Sequence, residues 1–183
     1  MKLASALKAP YFEQEDVFGR RVDLNDYVDK RILIAFFRHA GCPFCNIRVH
    51  NLMKVSGELK EKGLEMIFLF ESKKEIILRS SFHQGIAPIP LLSDPGKKLY
   101  DLYGLESSGY KSAISHITTF VQTAYEAYKV KVPLHAMADG ESIKTMPAEF
   151  LVDHDLIIKK VHYSERLRDR MDVNEIRDFA NGR

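Results

Sequence analysis

The segment Ile32-Leu33-Ile34-Ala35-Phe36-Phe37 constrains the fold more than any other stretch of the chain. Consecutive apolar residues, rich in β-branched and aromatic side chains, leave no polar face for water, so as a strand they must be covered on both sides. Polar Arg38 and His39 end the run, and Cys42-Pro43-Phe44-Cys45 follows after Ala40-Gly41. Beyond the cysteines, Val49, Leu52, Met53, Ser56 and Leu59 recur at three- and four-residue spacing, and Gly63 stands where a helix would stop. Leu64 to Phe70 repeats the buried-strand character. The result is a right-handed strand-helix-strand unit, which predicts an α/β fold with a sheet flanked by helices.

The two cysteines are the only ones in 183 residues. A bridge across two intervening residues would remove little entropy from the unfolded chain, so stabilisation is a poor reason for the pair, and redox exchange or metal binding remain. Pro43 suits the first position of the helix, which puts Cys42 at the helix N-terminus. Free N–H groups and the helix dipole there favour an anion, so the Cys42 thiol is predicted to be the exposed, readily ionised nucleophile. Cys45, one turn inward, is the less exposed thiol that resolves a mixed disulfide. His39 either stabilises the thiolate when protonated or is a solvated turn histidine, and Arg38 carries the same ambiguity. The competing zinc reading would recruit His39 and His50 as third and fourth ligands. It finds no second cysteine pair, and a strand-turn-helix matches neither a zinc ribbon nor a finger. No metal and no cofactor are expected.

Downstream, Ser72-Lys73-Lys74-Glu75 has the form of a capping box opening a helix through Ile76, Ile77 and Phe82. Asp94-Pro95 reads as an N-cap and first helical position, with Gly104 ending that helix. Phe150 to Val152 is a further buried strand, and a turn at Asp153 to Asp155 returns the chain antiparallel through Leu156 to Ile158. Asp172 then caps a last helix carrying Ile176 and Phe179. Ile114, Ile117, Val121, Ala124, Tyr125 and Tyr128 form a helical stripe within an insertion of about residues 109–145. That stripe is expected to pack against protein, either the sheet or a second subunit in a homodimer, or to serve as a lid over the cysteines.

Length and composition fit one domain over residues 1–183. Lys and Arg total 27 against 25 Asp and Glu, a balance that gives no electrostatic reason to expect a nucleic-acid or membrane partner. No apolar run approaches the length of a membrane span, and Met1 to Pro10 lacks the apolar core and cleavage site of a signal peptide, so a cytoplasmic location is expected.

Three further stretches carry a resemblance. Ala9-Pro10-Tyr11-Phe12 with Phe18 to Tyr27 looks like an N-terminal hairpin leading into the first core strand; Phe36-Phe37-Arg38-His39-Ala40-Gly41-Cys42 is similar to the redox loop of peroxiredoxin-like proteins; Met146-Pro147-Ala148-Glu149-Phe150-Leu151-Val152-Asp153 resembles the cis-proline strand that faces it. Together they resemble the alkyl hydroperoxide reductase and thiol-specific antioxidant (AhpC/TSA, peroxiredoxin-like) family of the thioredoxin-like superfamily. The resemblance implies a thioredoxin-like fold with a mixed sheet of four to five strands, an N-terminal β-hairpin and a helical insertion. It also implies a cis peptide at Pro147 that sets the Met146 backbone beside Cys42 as an edge for substrate. Pro43 and Phe44 are similar to the glutaredoxin dipeptide, although no Gly-Gly follows Pro147. Compared with typical peroxiredoxins, Ala35 and His39 stand where a proline and a threonine or serine are usual, and an arginine near Pro147 is missing.

These features lead to a thiol–disulfide oxidoreductase working on protein or small-molecule thiols and disulfides with a thiol reductant. Alternatives are a thiol-dependent peroxidase of antioxidant type and a non-catalytic redox sensor or binding module. Alternation along the strand places Glu149 on the face of Pro147, beneath the cysteines. There it is either a desolvated carboxylate that takes the proton from Cys45 or an exposed glutamate paired with a lysine.

Overall fold

A computed structural model describes residues 1–108, 122–133, 141–142 and 144–182. Glu13–Glu15 (β1) and Arg21–Asp23 (β2) pair as an antiparallel hairpin. Arg31–Phe36 (β3) leads through the cysteine loop into the long helix Pro43–Glu61 (α1), and Leu64–Phe70 (β4) returns. Two short helices, Lys74–Ile77 (α2) and Ser81–Gln84 (α3), precede Leu91–Ser93 (β5) and Lys98–Leu102 (α4). A helix over 122–129 (α5) lies within the insertion. Ala148–Asp153 (β6), Ile157–Tyr163 (β7) and Val173–Ala180 (α6) complete the order.

The five-stranded sheet runs β5-β4-β3-β6-β7, with β3, β4 and β5 parallel and β6 and β7 antiparallel to their neighbours. Its central strand β3 is the apolar run expected to be covered on both faces. Leu33, Ala35 and the following Phe37 join Cys42, Cys45, Val49 and Leu52 of the α1 side, whereas Ile32, Ile34 and Phe36 join Leu24, Tyr100, Tyr103 and Phe150 on the other. Gly63 follows the last turn of α1 with φ of 80°, a left-handed conformation that a side chain would oppose. Asp172 caps α6 as expected by accepting from the Asn174 N–H at 2.7 Å. Among the described residues no helix is long and apolar enough to cross a membrane.

Several expectations fail locally. Ser72 does not cap a helix: its hydroxyl accepts from the Ala40 N–H at 2.7 Å and contacts the Glu141 carboxylate, so the capping-box pattern is spent on the cysteine loop and α2 stops at Ile77. Asp94 caps from a distance, accepting from the N–H groups of Lys98 and Leu99 at 3.1 and 2.7 Å across a turn, and α4 begins at Lys98 rather than after Pro95. The three-residue β5 went unforeseen because so short a strand shows no period. The insertion stripe is also revised: α5 buries Thr123 and Ala127, while Tyr125 and Tyr128 are 59% and 78% exposed. Ile114, Ile117 and Val121 lie outside the described residues.

Candidate redox site

Pro43 opens α1, and Cys42 occupies the N-cap with extended backbone angles and no side-chain cap bond. The Cys42 N–H donates to His39 O at 3.0 Å, and Cys42 O accepts from the Asn46 N–H at 3.0 Å, so a tight turn delivers the sulfur to the helix start. Both cysteines are free thiols and both are fully buried, which corrects the expectation of an exposed Cys42. The first turn of α1 is not a solvent-facing end, because Val17, Phe37, Phe44 and Met146 belong to the same packed cluster as the two sulfurs.

Two guanidinium groups serve the pair. Arg38, itself fully buried, brings Nη1 within 3.8 Å of Cys42 Sγ, and its backbone N–H donates to Cys45 Sγ at 3.3 Å. Arg170 places Nη2 at 3.8 Å from Cys45 Sγ, is held by the Ser164 hydroxyl at 3.3 Å, and lies over the Phe37 ring. Ser164 is in turn fixed by its N–H donating to Pro147 O at 3.0 Å. Burial pushes the Cys42 thiol up, but the hydrogen bond from Cys45 and the charge of Arg38 and then Arg170 outweigh it, bringing Cys42 down to about 6. Burial also pushes Cys45 up, and donating to its neighbour's sulfur pushes it further, well above the usual thiol range. Both shifts favour a thiolate on Cys42 with the Cys45 thiol donating to it.

Glu149 is buried, but its carboxylate is clamped rather than poised as a base. Arg48 Nε and Nη2 each donate to one carboxylate oxygen at 2.8 Å, and the Met171 N–H adds a bond at 3.0 Å. Arg48 lies three residues after Cys45 on α1, a helical spacing that puts both on one side of the helix. The carboxylate thus ties α1 to β6 and to the segment before α6.

The peptide before Pro147 is trans, since no described residue has a cis peptide, which corrects the expectation of a cis bond. Nor is the Met146 edge open: its N–H donates to Glu106 O at 3.0 Å, Ser107 bridges to Thr145, and the Ser108 N–H donates to Lys144 O at 2.7 Å. The chain's own segment occupies the edge expected for substrate. His39 is 6% exposed and so not a solvated turn histidine, with Nδ1 3.7 Å from the Glu141 carboxylate. Glu71, a buried carboxylate with no assigned role in the sequence, accepts from Thr145 Oγ1 at 2.6 Å and the Ser142 N–H at 3.0 Å and pairs with Lys97 at 2.9 Å. Asn46, next to Cys45, donates to both Ala40 O and Pro133 O at 2.8 and 2.9 Å. The described ends of the insertion are thereby fastened to the cysteine loop.

Sequence reasoning gave no place to Arg170. Its contact with Cys45 spans 125 residues, and the only trace in the sequence is the alternation Arg166, Arg168, Arg170. Beside it, Phe44, Ile47, Thr123 and Arg168 help line a cavity of about 180 Å³.

The chain is similar to known thiol redox proteins in sequence and in fold. The chain is 28% identical over 97 residues to peroxiredoxin Bcp of Escherichia coli strain K12, covering 53% of this chain and 62% of that protein. It is 26% identical over 104 residues to the thiol-disulfide oxidoreductase ResA of Bacillus anthracis, covering 57% and 60%. The chain thus spans less than two thirds of the length of the curated relatives it matches. A thiol peroxidase from Chromobacterium violaceum shares the fold with a TM-score of 0.64 at 14% identity, covering 100% of this chain and 88% of that one. The AhpC/TSA family model matches residues 6–161, and the chain therefore belongs to the AhpC/TSA family.

Proposed function

We propose that the chain is a thiol–disulfide oxidoreductase in which Cys42 attacks and Cys45 resolves. The observation that carries this reading is the placing of Cys42 at the start of α1 with the Arg38 guanidinium 3.8 Å from its sulfur, which draws that thiol down while burial pushes Cys45 up. The Cys42 thiolate attacks one sulfur of a disulfide, the new S–S bond forms as the old one breaks, and the second substrate sulfur leaves as a thiolate. Cys42 then no longer carries the charge and the acceptor sulfur that held the Cys45 proton. Arg170 and the Arg38 N–H remain beside Cys45, so its proton passes to the departing thiolate without a dedicated base. Cys45 attacks Cys42 Sγ, releases the reduced substrate and closes the Cys42–Cys45 disulfide, which a thiol reductant reopens. With Cys45→Ser, incubation with a small disulfide should trap a stable mixed disulfide on Cys42, located by peptide mass. Failure of the Cys45→Ser protein to form that adduct on Cys42, or turnover equal to wild type without Cys45, would defeat the assignment.

Peroxide reduction is the second reading, favoured by the two guanidiniums within 3.8 Å of the sulfurs, which can polarise a peroxide. Cys42 would take one oxygen as a sulfenic acid while the alcohol or water leaves, and Cys45 would condense with it to a disulfide and water. Stopped-flow loss of thiol on mixing with hydrogen peroxide separates the two. Rapid loss at micromolar peroxide selects the peroxidase, and loss no faster than for free cysteine selects disulfide exchange.

A further inference from the structure

A cavity of about 180 Å³ that meets the redox pair through Phe44, which precedes Cys45, and through Arg170 is walled also by Ile47, Arg48 and Asn51 of α1, by Thr123 and Glu126 of α5, and by Arg168. It has room for about six waters' share of liquid volume, hence for the backbone of a small thiol but not for a folded partner. Three guanidiniums reach it. Arg48 is matched by Glu149, and Arg168 by Glu126 through two contacts of 3.0 and 2.8 Å. Arg170 makes no ion pair among the described residues, yet its Nη2 lies at Cys45 Sγ. The wall therefore carries one positive charge in excess, on the group that joins the cavity to the redox pair.

From this we propose that the cavity seats the carboxylate of a low-molecular-weight thiol, the reductant of the Cys42–Cys45 disulfide; the inference rests on the redox function proposed above. Such a thiol docks its carboxylate among Arg168 and Arg170 while its thiolate attacks Cys42 Sγ. The new bond forms, the Cys42–Cys45 bond breaks, and the electron pair leaves on Cys45 beside Arg170. A second thiolate attacks the substrate sulfur of the mixed disulfide, which frees Cys42 and yields the small disulfide. Two small thiols are oxidised and one protein disulfide is reduced.

The test uses the oxidised full chain and three thiols of similar size and different charge: 3-mercaptopropionate, 2-mercaptoethanol and cysteamine. Second-order rates of disulfide reduction, expressed per thiolate and divided by the same thiol's rate on hydroxyethyl disulfide, should fall in that order and converge as salt is raised. Arg168→Gln should shrink the preference for the carboxylate roughly three-fold, and Glu126→Gln should enlarge it by a similar factor, because one removes and the other uncovers a positive charge on a partly exposed pair. Both substitutions break the same ion pair, so a merely structural role for that pair would move the two variants in the same direction. Opposite movement supports the subsite. A shared direction, no charge order in the wild-type protein, or failure of all three thiols to reopen the disulfide overturns the subsite while leaving the redox function standing, which falls instead if the Cys45→Ser protein forms no adduct on Cys42.

Discussion

The two faces of the sheet are built from one strand yet obey different rules. Toward α1, β3 meets a core that contains two thiols, buried Arg38 and the Arg48–Glu149 pair; toward α4 its Phe36 meets Tyr100, Tyr103 and Phe150, whose rings lie 5.0–5.7 Å away at mostly edge-on angles. On the aromatic face the buried hydroxyls are satisfied by carbonyls, Tyr100 donating to Phe37 O at 2.6 Å and Tyr103 to Pro10 O at 2.9 Å. Packing area stabilises one face and holds the strand still. The other face gives up some of that stabilisation to keep charges dry, where a guanidinium acts on a sulfur with little screening.

If that division of labour is right, the largest loss of stability without chemical consequence should come from the aromatic face. Phe150→Ala is expected to cost about 4 kcal/mol by cavity formation, read by denaturant unfolding, with the pH dependence of Cys42 alkylation unmoved. A displaced Cys42 profile would show that the two faces are not independent. Glu149→Gln comes next, at about 3 kcal/mol, because it strands Arg48 in the interior, and Arg48→Met with Glu149→Leu should recover most of it. The same Glu149→Gln protein should release reduced substrate at the wild-type rate and pH profile in single turnover. A slowed release would return Glu149 to the role of base.

Smaller effects sharpen the contrast on the charged face. In the wild-type protein Cys42 is a thiol below about pH 6 and a thiolate above it, so its alkylation rate should rise about ten-fold between pH 5 and 7. Arg38→Gln removes a positive charge near the sulfur, moves that rise to higher pH and lowers the rate at pH 6 roughly five-fold, while Arg38→Lys should restore part of it. An unchanged profile would mean that Arg38 does not set the thiol and would leave it to Cys45, Arg170 and the helix start. The smallest effect is expected for Tyr100→Phe, about 1 kcal/mol for one hydrogen bond to Phe37 O, again without change at Cys42.

The elements that sequence patterning identified are those whose reason is local. The apolar run of β3, the periodicity of α1, Pro43 at its first position, Gly63 past its end and Asp172 before α6 each act through neighbours a few residues away. The failures also share a cause. Ser72 has the form of a cap, but a loop N–H 32 residues earlier claims its hydroxyl; Tyr125 has the spacing of a core face, but Thr123 and Ala127 are the residues turned inward.

What the sequence by itself determined is a strand buried on both faces, a helix begun at Cys42-Pro43, and hence two sulfurs at a helix N-terminus in an α/β fold. Backbone sterics, side-chain period and the helix dipole suffice for that, and all are legible within roughly a dozen residues. Only the tertiary structure decided that both thiols are buried, that Arg170 reaches Cys45, that Arg48 rather than a catalytic proton engages Glu149, and that the chain's own residues 106–108 occupy the Met146 edge. These depend on contacts between residues as many as 125 positions apart. Charge and hydrogen-bonding capacity at such distances carry no period in the sequence, and which partners meet is settled only when packing brings them together.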